Sequence, residues 1–280
     1  MDDMSQTPTV STDAVQQAAE RLNRAAISKQ PCPPVRDLIG RDDLRAAYAV
    51  QSRNAEARTA AGAEVVGRKI GLTSPAVQAQ LGVDQPDFGV LFADMAYDDG
   101  TDVPVDAVMQ PRVEAEVAFV LKADLADGPL DAAQVREAVD YAVAALEVCG
   151  SRIAGWDISF GDTVADNASA GAYVLGNDRK TLQDFVSRDV TMSMTVDDDE
   201  VSSGNGAACL GDPVNALVWL ARQARDLGEP LRAGQVILSG ALGPMKPIEP
   251  GAHVTAHITG LGSVSMTLAP SAVTTASKEQ

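Results

Sequence analysis

Glutamates stand at positions 114, 116 and 147 inside strongly apolar stretches of this 280-residue chain. In RVEAEVAFVL (112–121) side chains alternate between two faces. Val113, Ala115, Val117, Phe119 and Leu121 share one face, and Glu114, Glu116, Ala118 and Val120 share the other. Both faces are largely apolar, which predicts a strand buried on both sides, with two carboxylates roughly 7 Å apart along one face. Buried anions demand a counter-charge. Carboxylates two residues apart suit a hard, oxygen-seeking cation such as Mg2+ or Mn2+. Taken alone, the pair also fits an exposed face or pairing with Arg112. Glu147, in AALEVCG, is a third charge amid Ala, Leu and Val; alone it also fits a strand edge reaching water. Three such glutamates on two neighbouring strands make a metal site held by Glu114, Glu116 and Glu147 the economical reading.

Lys69, in VGRKIGL, is flanked by apolar residues as well. A buried lysine can anchor a carboxylate or serve as a tuned acid or base; a lysine reaching along the surface to water is the alternative. GALGP (240–244) is a glycine-rich turn after a strand, able to bring backbone N–H groups to an anion or simply to turn the chain. No GxxxxGK[ST] and no HExxH occurs. The two histidines, His253 and His257, alternate with Val254 and Ile258 in a late strand and read as structural. A Ser-His-Asp triad or a histidine-rich zinc site is therefore not expected.

The elements that must position these groups are legible in part. Residues 1–10 read as a disordered tail. Helical periodicity runs from Asp13 to about Lys29, stopped by PCPP, and again from about Arg41 to Ala61, with Gly62 beyond it. EVVGRKIGL (64–72) reads as a strand, and Ser74-Pro75 opens a short helix ending at Gly82. DQPDFG (84–89) reads as a loop. After the 112–121 strand, 132–143 reads as an amphipathic helix and ALEV (145–148) as a short buried strand. AYVLG (172–176) and the hairpin-like MSMTVDDDEVSSG (192–204), turning at Asp197-Asp198-Asp199, follow. Asp212-Pro213 starts a helix that Gly228 closes. QVILSG, HVTAHI and SVSMTL make the C-terminal part β-rich.

Composition narrows the functional classes. With 45% hydrophobic residues, the chain can bury a sizeable core. A net charge of −17 repels nucleic-acid phosphates and anionic lipid surfaces, so neither is expected as a partner. The same field repels an acidic small molecule, which a local Lys, Arg or metal must overcome. Cys32, Cys149 and Cys209 are odd in number and widely spaced, consistent with reduced thiols. No signal peptide and no membrane-spanning stretch is visible, so a cytoplasmic protein is expected.

Longer blocks carry a resemblance. GRKIGLTSPAVQAQLGVDQPDFGVLFADM (67–95), QPRVEAEVAFVL (110–121), ALEVCGSRIAGW (145–156), DTVADNASAG (162–171), PVNALVWLAR (213–222) and LSGALGP (238–244) look like the 2-oxopent-4-enoate hydratases. These enzymes, also called 2-hydroxypenta-2,4-dienoate hydratases, belong to the fumarylacetoacetate hydrolase superfamily and act in meta-cleavage aromatic catabolism. The resemblance covers about residues 13–270. It implies an α+β fold with a mixed β-rich core and flanking helices, usually a homo-oligomer. Within it, 1–62 would form a helical N-terminal region, 63–272 the catalytic domain and 273–280 a tail. It matches the family's metal ligands to Glu114, Glu116 and Glu147, and its active-site lysine to Lys69. It adds Asp87 and Ser169, which the residues alone do not single out. The substrate implied is a small 2-oxo or dienol acid, with a pathway enzyme as a further partner. The superfamily's C–C hydrolases are expected to use a His–Glu pair, and no histidine precedes residue 253 here, which favours hydration or decarboxylation. 4-Oxalocrotonate decarboxylase and 2-oxohept-4-enedioate hydratase share the metal residues and stand as alternatives, as does a non-catalytic partner subunit.

Overall fold

The computed structural model describes residues 10–74, 78 and 83–270. Helix α1 (Thr12–Ser28) starts where the Ser11 side chain accepts the Ala14 N–H and stops at Lys29, whose left-handed backbone breaks the repeat. It buries Ala18, Ala19, Leu22 and Ala25. A four-residue helix α2 (Arg36–Ile39) precedes α3 (Leu44–Ala60), which Asp43 caps. Strands β1 (Val65–Gly71), β2 (Asp87–Phe92), β3 (Ala96–Asp98), β4 (Asp102–Pro104) and β5 (Arg112–Leu121) follow. Helix α4 (Ala132–Ala138) runs directly into β6 (Val139–Cys149). Next come α5 (Phe160–Ala165), β7 (Ala172–Leu175) and the pair β8 (Thr191–Val196) and β9 (Asp199–Asn205). Helix α6 (Pro213–Asp226), with Asp212 as its cap, leads to β10 (Val236–Ala241), β11 (Lys246–Pro247), β12 (His253–Ile258) and β13 (Gly262–Ala269).

The strands form two sheets. The larger runs β2-β1-β10-β5-β6-β7-β3, with β11 beside β5; the smaller runs β4-β13-β12-β8-β9. Val113, Ala115, Val117, Phe119 and Leu121 of β5 join one apolar core with Val254, Ala256 and Ile258 of β12 and Val264, Met266 and Leu268 of β13. The two sheets pack through this shared core, with β6 and β7 lying closest to β12 and β13. The other face of β5 carries Ala118 into a separate cluster with Val90, Phe92, Ala145 and Leu238. The glutamates project on that second face. Helices α1–α3 close a third cluster with Ile153, Phe160 and Val164. Buried Asp162 ties this helical layer down: it accepts from Val35 N (2.8 Å) and Arg36 N (2.9 Å) and pairs with Arg36 Nη1 at 2.9 Å.

Three local expectations are corrected. The 132–143 helix ends at Ala138, and Val139 begins an eleven-residue strand rather than the short ALEV segment. Pairing of Val139 to Cys149 along nearly all of β5 outweighs a helical period that an Ala/Val run also satisfies. DQPDFG is not all loop: β2 begins at Asp87 and pairs antiparallel with β1. The helix read from Ser74-Pro75 to Gly82 falls largely outside the described residues, as does most of each terminal tail. The acidic triplet behaves as expected, with Asp197 and Asp198 left-handed in the β8–β9 turn.

Candidate functional site

Antiparallel register sets Glu114 of β5 directly opposite Glu147 of β6, and Arg112 opposite Cys149. Register partners share a face, so Arg112, Glu114 and Glu116 line up with Cys149, Glu147 and Ala145. A carboxylate oxygen of Glu114, one of Glu147 and the Cys149 sulfur all lie within 4.8 Å of one another. Glu116 follows two residues further along the face and is fully buried. Its Oε2 accepts the Gly240 N–H at 2.7 Å. The glycine-rich turn therefore does receive an anion, one supplied by the chain itself. Gly240 has a φ of 111° and backs onto the Thr73 side chain, where a Cβ would collide.

Lys69 reaches this cluster from β1. Its Nζ lies 3.2 Å from Glu147 Oε1, and both side chains are buried. Desolvation opposes the ammonium charge, but the carboxylates of Glu147, Glu114 and Asp87 together outweigh it and hold Lys69 well above the usual lysine value. Burial, reinforced by Glu147 and Glu114, pushes Glu116 well above the carboxylate range. Burial likewise raises Glu147, with Lys69 acting against it. Cys149 Sγ donates to Glu114 Oε1 at 3.6 Å, and burial keeps its thiol protonated by pushing it well above its ordinary value.

Asp87 opens β2 opposite Gly71 of β1. Burial raises its pKa, opposed by Lys69 and by a hydrogen bond from Thr163. Thr163 Oγ1 in turn lies 3.3 Å from Ser169 Oγ. Ser169 sits at the end of three consecutive left-handed residues, Asn167 (57°), Ala168 (49°) and Ser169 (57°), each of which lacks the freedom of glycine. The Asn167 carboxamide holds this segment against the sheet edge. Its Oδ1 accepts from Val90 N (2.8 Å) and its Nδ2 donates to Val90 O (2.9 Å), replacing a missing strand neighbour of β2.

Every residue expected from the sequence thus lies on one buried surface, apart from Arg112, which pairs with neither glutamate. Its guanidinium stacks on the Trp156 ring, 4.3 Å from the centroid. Lys69 does not reach along the surface to water; it is sealed in. Cys149 and Thr163 escaped the sequence reading. Cys149 was detectable by parity, two residues beyond Glu147 on the same strand. Thr163 left only the weak signal of a hydroxyl in an apolar helix.

The donor set fits a hard divalent cation. Glu116 Oε1, Glu147 Oε2 and Asp87 Oδ1 are buried with no hydrogen-bond partner among the described residues. One ammonium faces four carboxylates. A cation among the glutamates would supply the missing positive charge and occupy the free oxygens. Cys149, kept as a neutral thiol, is a poor ligand for such an ion.

This chain belongs to the fumarylacetoacetate (FAA) hydrolase family: residues 57–269 match the family's C-terminal region. Among characterised relatives, it is 53% identical over 266 residues to the TodF product hydratase of Pseudomonas putida, spanning 95% of this chain and 99% of the relative. It is 51% identical over 255 residues to the 2-keto-4-pentenoate hydratase of Burkholderia vietnamiensis, spanning 91% and 97%. Its fold overlays 4-oxalocrotonate decarboxylase from Pseudomonas putida G7, complexed with magnesium and adipate, at a TM-score of 0.89. That match has 31% identity over 94% of this chain and all of the other. No helix among the described residues is long and apolar enough to cross a membrane.

Proposed function

We propose that this chain is a metal-dependent hydro-lyase that adds water to 2-hydroxypenta-2,4-dienoate, giving 4-hydroxy-2-oxopentanoate, in the breakdown of aromatic compounds. The observation that carries the reading is the sealed set of Glu114, Glu116 and Glu147 with Lys69 3.2 Å from Glu147, in a chain about half identical to hydratases of 2-keto-4-pentenoate. Mg2+ or Mn2+ held by the three glutamates would supply Lewis-acid polarisation of the substrate's 2-oxygen and offset the chain's negative field.

The residues of the chain do the proton work. Conversion of the dienol to the conjugated enone takes the proton from the 2-hydroxyl and places one on carbon 5. Water then adds at carbon 4, and carbon 3 takes the last proton, so one water is consumed overall. Lys69, kept protonated by the acids around it, holds a proton at Nζ beside the reacting oxygen. Asp87, whose pKa burial raises, exchanges a proton with carbon or water. Ser169, tied through Thr163 to Asp87, orients the substrate chain. Burial of all these groups keeps bulk water from competing with the one water that adds. The reading includes a cytoplasmic homo-oligomer with a helical N-terminal region on a β-rich catalytic domain.

The test is the loss of dienol ultraviolet absorbance with purified protein, after chelation and after Mg2+ or Mn2+ is restored. Metal-tracking loss with 4-hydroxy-2-oxopentanoate as product is expected. Evolution of CO2 from 4-oxalocrotonate, with no action on the dienoate, would move the assignment to decarboxylation.

A further inference from the structure

Strand β2 opens with Asp87 and lies at the edge of the larger sheet, paired on one side only, by β1. Side chains rather than a further strand finish its open side. Asn167 takes the N–H and the carbonyl of Val90. The carbonyl of Phe88, two residues back on the same side, accepts from Gln51 Nε2 at 2.9 Å. The same Nε2 also donates to the Val164 carbonyl at 2.8 Å. Val164 stands in the last turn of α5, where the ladder runs out because the chain turns left-handed from Asn167 onward.

One carboxamide of α3 thus satisfies two orphan carbonyls, one at a sheet edge and one at a helix end. Both neighbour a residue of the site. Phe88 follows Asp87, and Val164 follows Thr163, whose hydroxyl meets Asp87 and Ser169. Helix α3 also grips Phe88 through Tyr48, one turn before Gln51, whose ring stacks on it at 4.8 Å between centroids. Gln51 is 4% exposed, yet it lines two cavities. One, of about 440 Å3, it shares with Arg68 and Phe88; the other, of about 120 Å3, with Leu22 and Asn167. With space beside it in both, packing alone does not fix the carboxamide, and its two hydrogen bonds do.

We propose that Gln51 is a positioning residue: by holding the Phe88 and Val164 carbonyls on one nitrogen, it sets the spacing at which the Thr163 hydroxyl meets Asp87. This rests on the reading of Asp87 as the proton-exchanging group of a hydratase and names the residue that seats it. Helix α3 takes part in the chemistry through two backbone carbonyls.

The test uses the full-length, Mn2+-loaded protein and dienol absorbance kinetics. Gln51→Met keeps the length of the side chain and removes both bonds. Its kcat should fall by about 10- to 100-fold, as for a reacting group displaced by about 1 Å, with KM changed by less than about threefold. Gln51→Asn keeps the amide on a shorter arm that cannot span both carbonyls, and should lose at least about fivefold in kcat. Mn2+ affinity by calorimetry should stay within about twofold of wild type in both, because neither touches the glutamates. In a Thr163→Val background the hydroxyl to be seated is gone, so adding Gln51→Met should cost less than about threefold more. Val254→Ala, in the core shared by the two sheets, should lower the urea midpoint and leave kcat unchanged, which separates lost stability from lost position. Wild-type kcat in a folded Gln51→Met or Gln51→Asn protein, a parallel fall in Mn2+ affinity, full additivity with Thr163→Val, or an equal loss of kcat in Val254→Ala would each overturn the proposal. If wild type and both Gln51 variants hydrate the dienoate equally, the positioning role falls and the hydratase reading stands. If wild type leaves the dienoate untouched, the hydratase reading falls and the positioning role falls with it.

Discussion

Gly71→Ala is the perturbation that tests the site most sharply with the smallest change. Gly71 pairs with Asp87 across β1 and β2. A Cβ at position 71 would overlap Asp87 Oδ1, and would lie 3.3 Å from Asp87 Cγ and 3.5 Å from Lys69 Nζ. Gly71 does not use the left-handed backbone, so alanine can take its φ and ψ without strain. The whole effect must then come from displacing the acid. To restore van der Waals separation the carboxyl must retreat by roughly 1 Å. It is 1% exposed and has little room to do so. Overpacking of this kind destabilises by about 1–3 kcal/mol, and a 1 Å misplacement of a reacting group slows turnover by about 10²-fold. The assay pairs dienol absorbance kinetics with urea denaturation. A folded Gly71→Ala protein with wild-type kcat would show that the position of Asp87 does not matter to the chemistry.

Four further outcomes are expected. Glu116→Gln retains an oxygen for the Gly240 N–H but loses the charge, so Mn2+ affinity should fall at least about tenfold by calorimetry; unchanged affinity removes Glu116 from the ligand set. Lys69→Met leaves buried Glu147 without its ion-pair partner, which should destabilise the metal-free protein by about 3–5 kcal/mol and slow turnover; wild-type stability and rate would contradict the pairing. Stability should decline as pH rises above about 9. The unfolded chain ionises its thiols there, while burial holds Cys209 up to about 12 in the folded state, so the contribution is complete below 9 and lost toward 12; equal urea midpoints at pH 8 and 10 would refute this. Asn167→Ala removes both hydrogen bonds to Val90 and should lower stability by about 1–3 kcal/mol and reduce kcat through Ser169; a stable, fully active variant would show that the clamp is dispensable.

What could be read from the chain followed from local period and burial. β5 was legible to the residue because alternation with apolar residues on both faces reads as a buried strand, and that alternation also put Glu114 and Glu116 on one surface. β2 was not, because Asp84, Pro86 and Gly89 signal a turn while the strand at Asp87–Phe92 owes its existence to distant β1 and Asn167. Parity beyond the ALEV segment was obscured when the helix was carried to residue 143, and with it the shared face of Cys149. Asp87 and Ser169 had no local signature at all. Their proximity comes from α5 and β2 meeting through Thr163, a contact between segments more than seventy residues apart.

The parallel pairing of β1 with β10 has a consequence for how the molecule is made. Gly67, Arg68 and Lys69 find their partners at Val236, Ile237 and Leu238, 169 residues further along the chain. β5 and β6, by contrast, are near neighbours in sequence and can pair early. A chain emerging from the ribosome can thus bring Glu114 and Glu147 face to face long before β10 exists to seat β1 and its lysine. Until then the two carboxylates would lack the ammonium, and the last fifth of the chain supplies the strand that seats it. Catalytic competence and completion of the sheet are then a single late event, so a protein truncated before residue 236 loses both together.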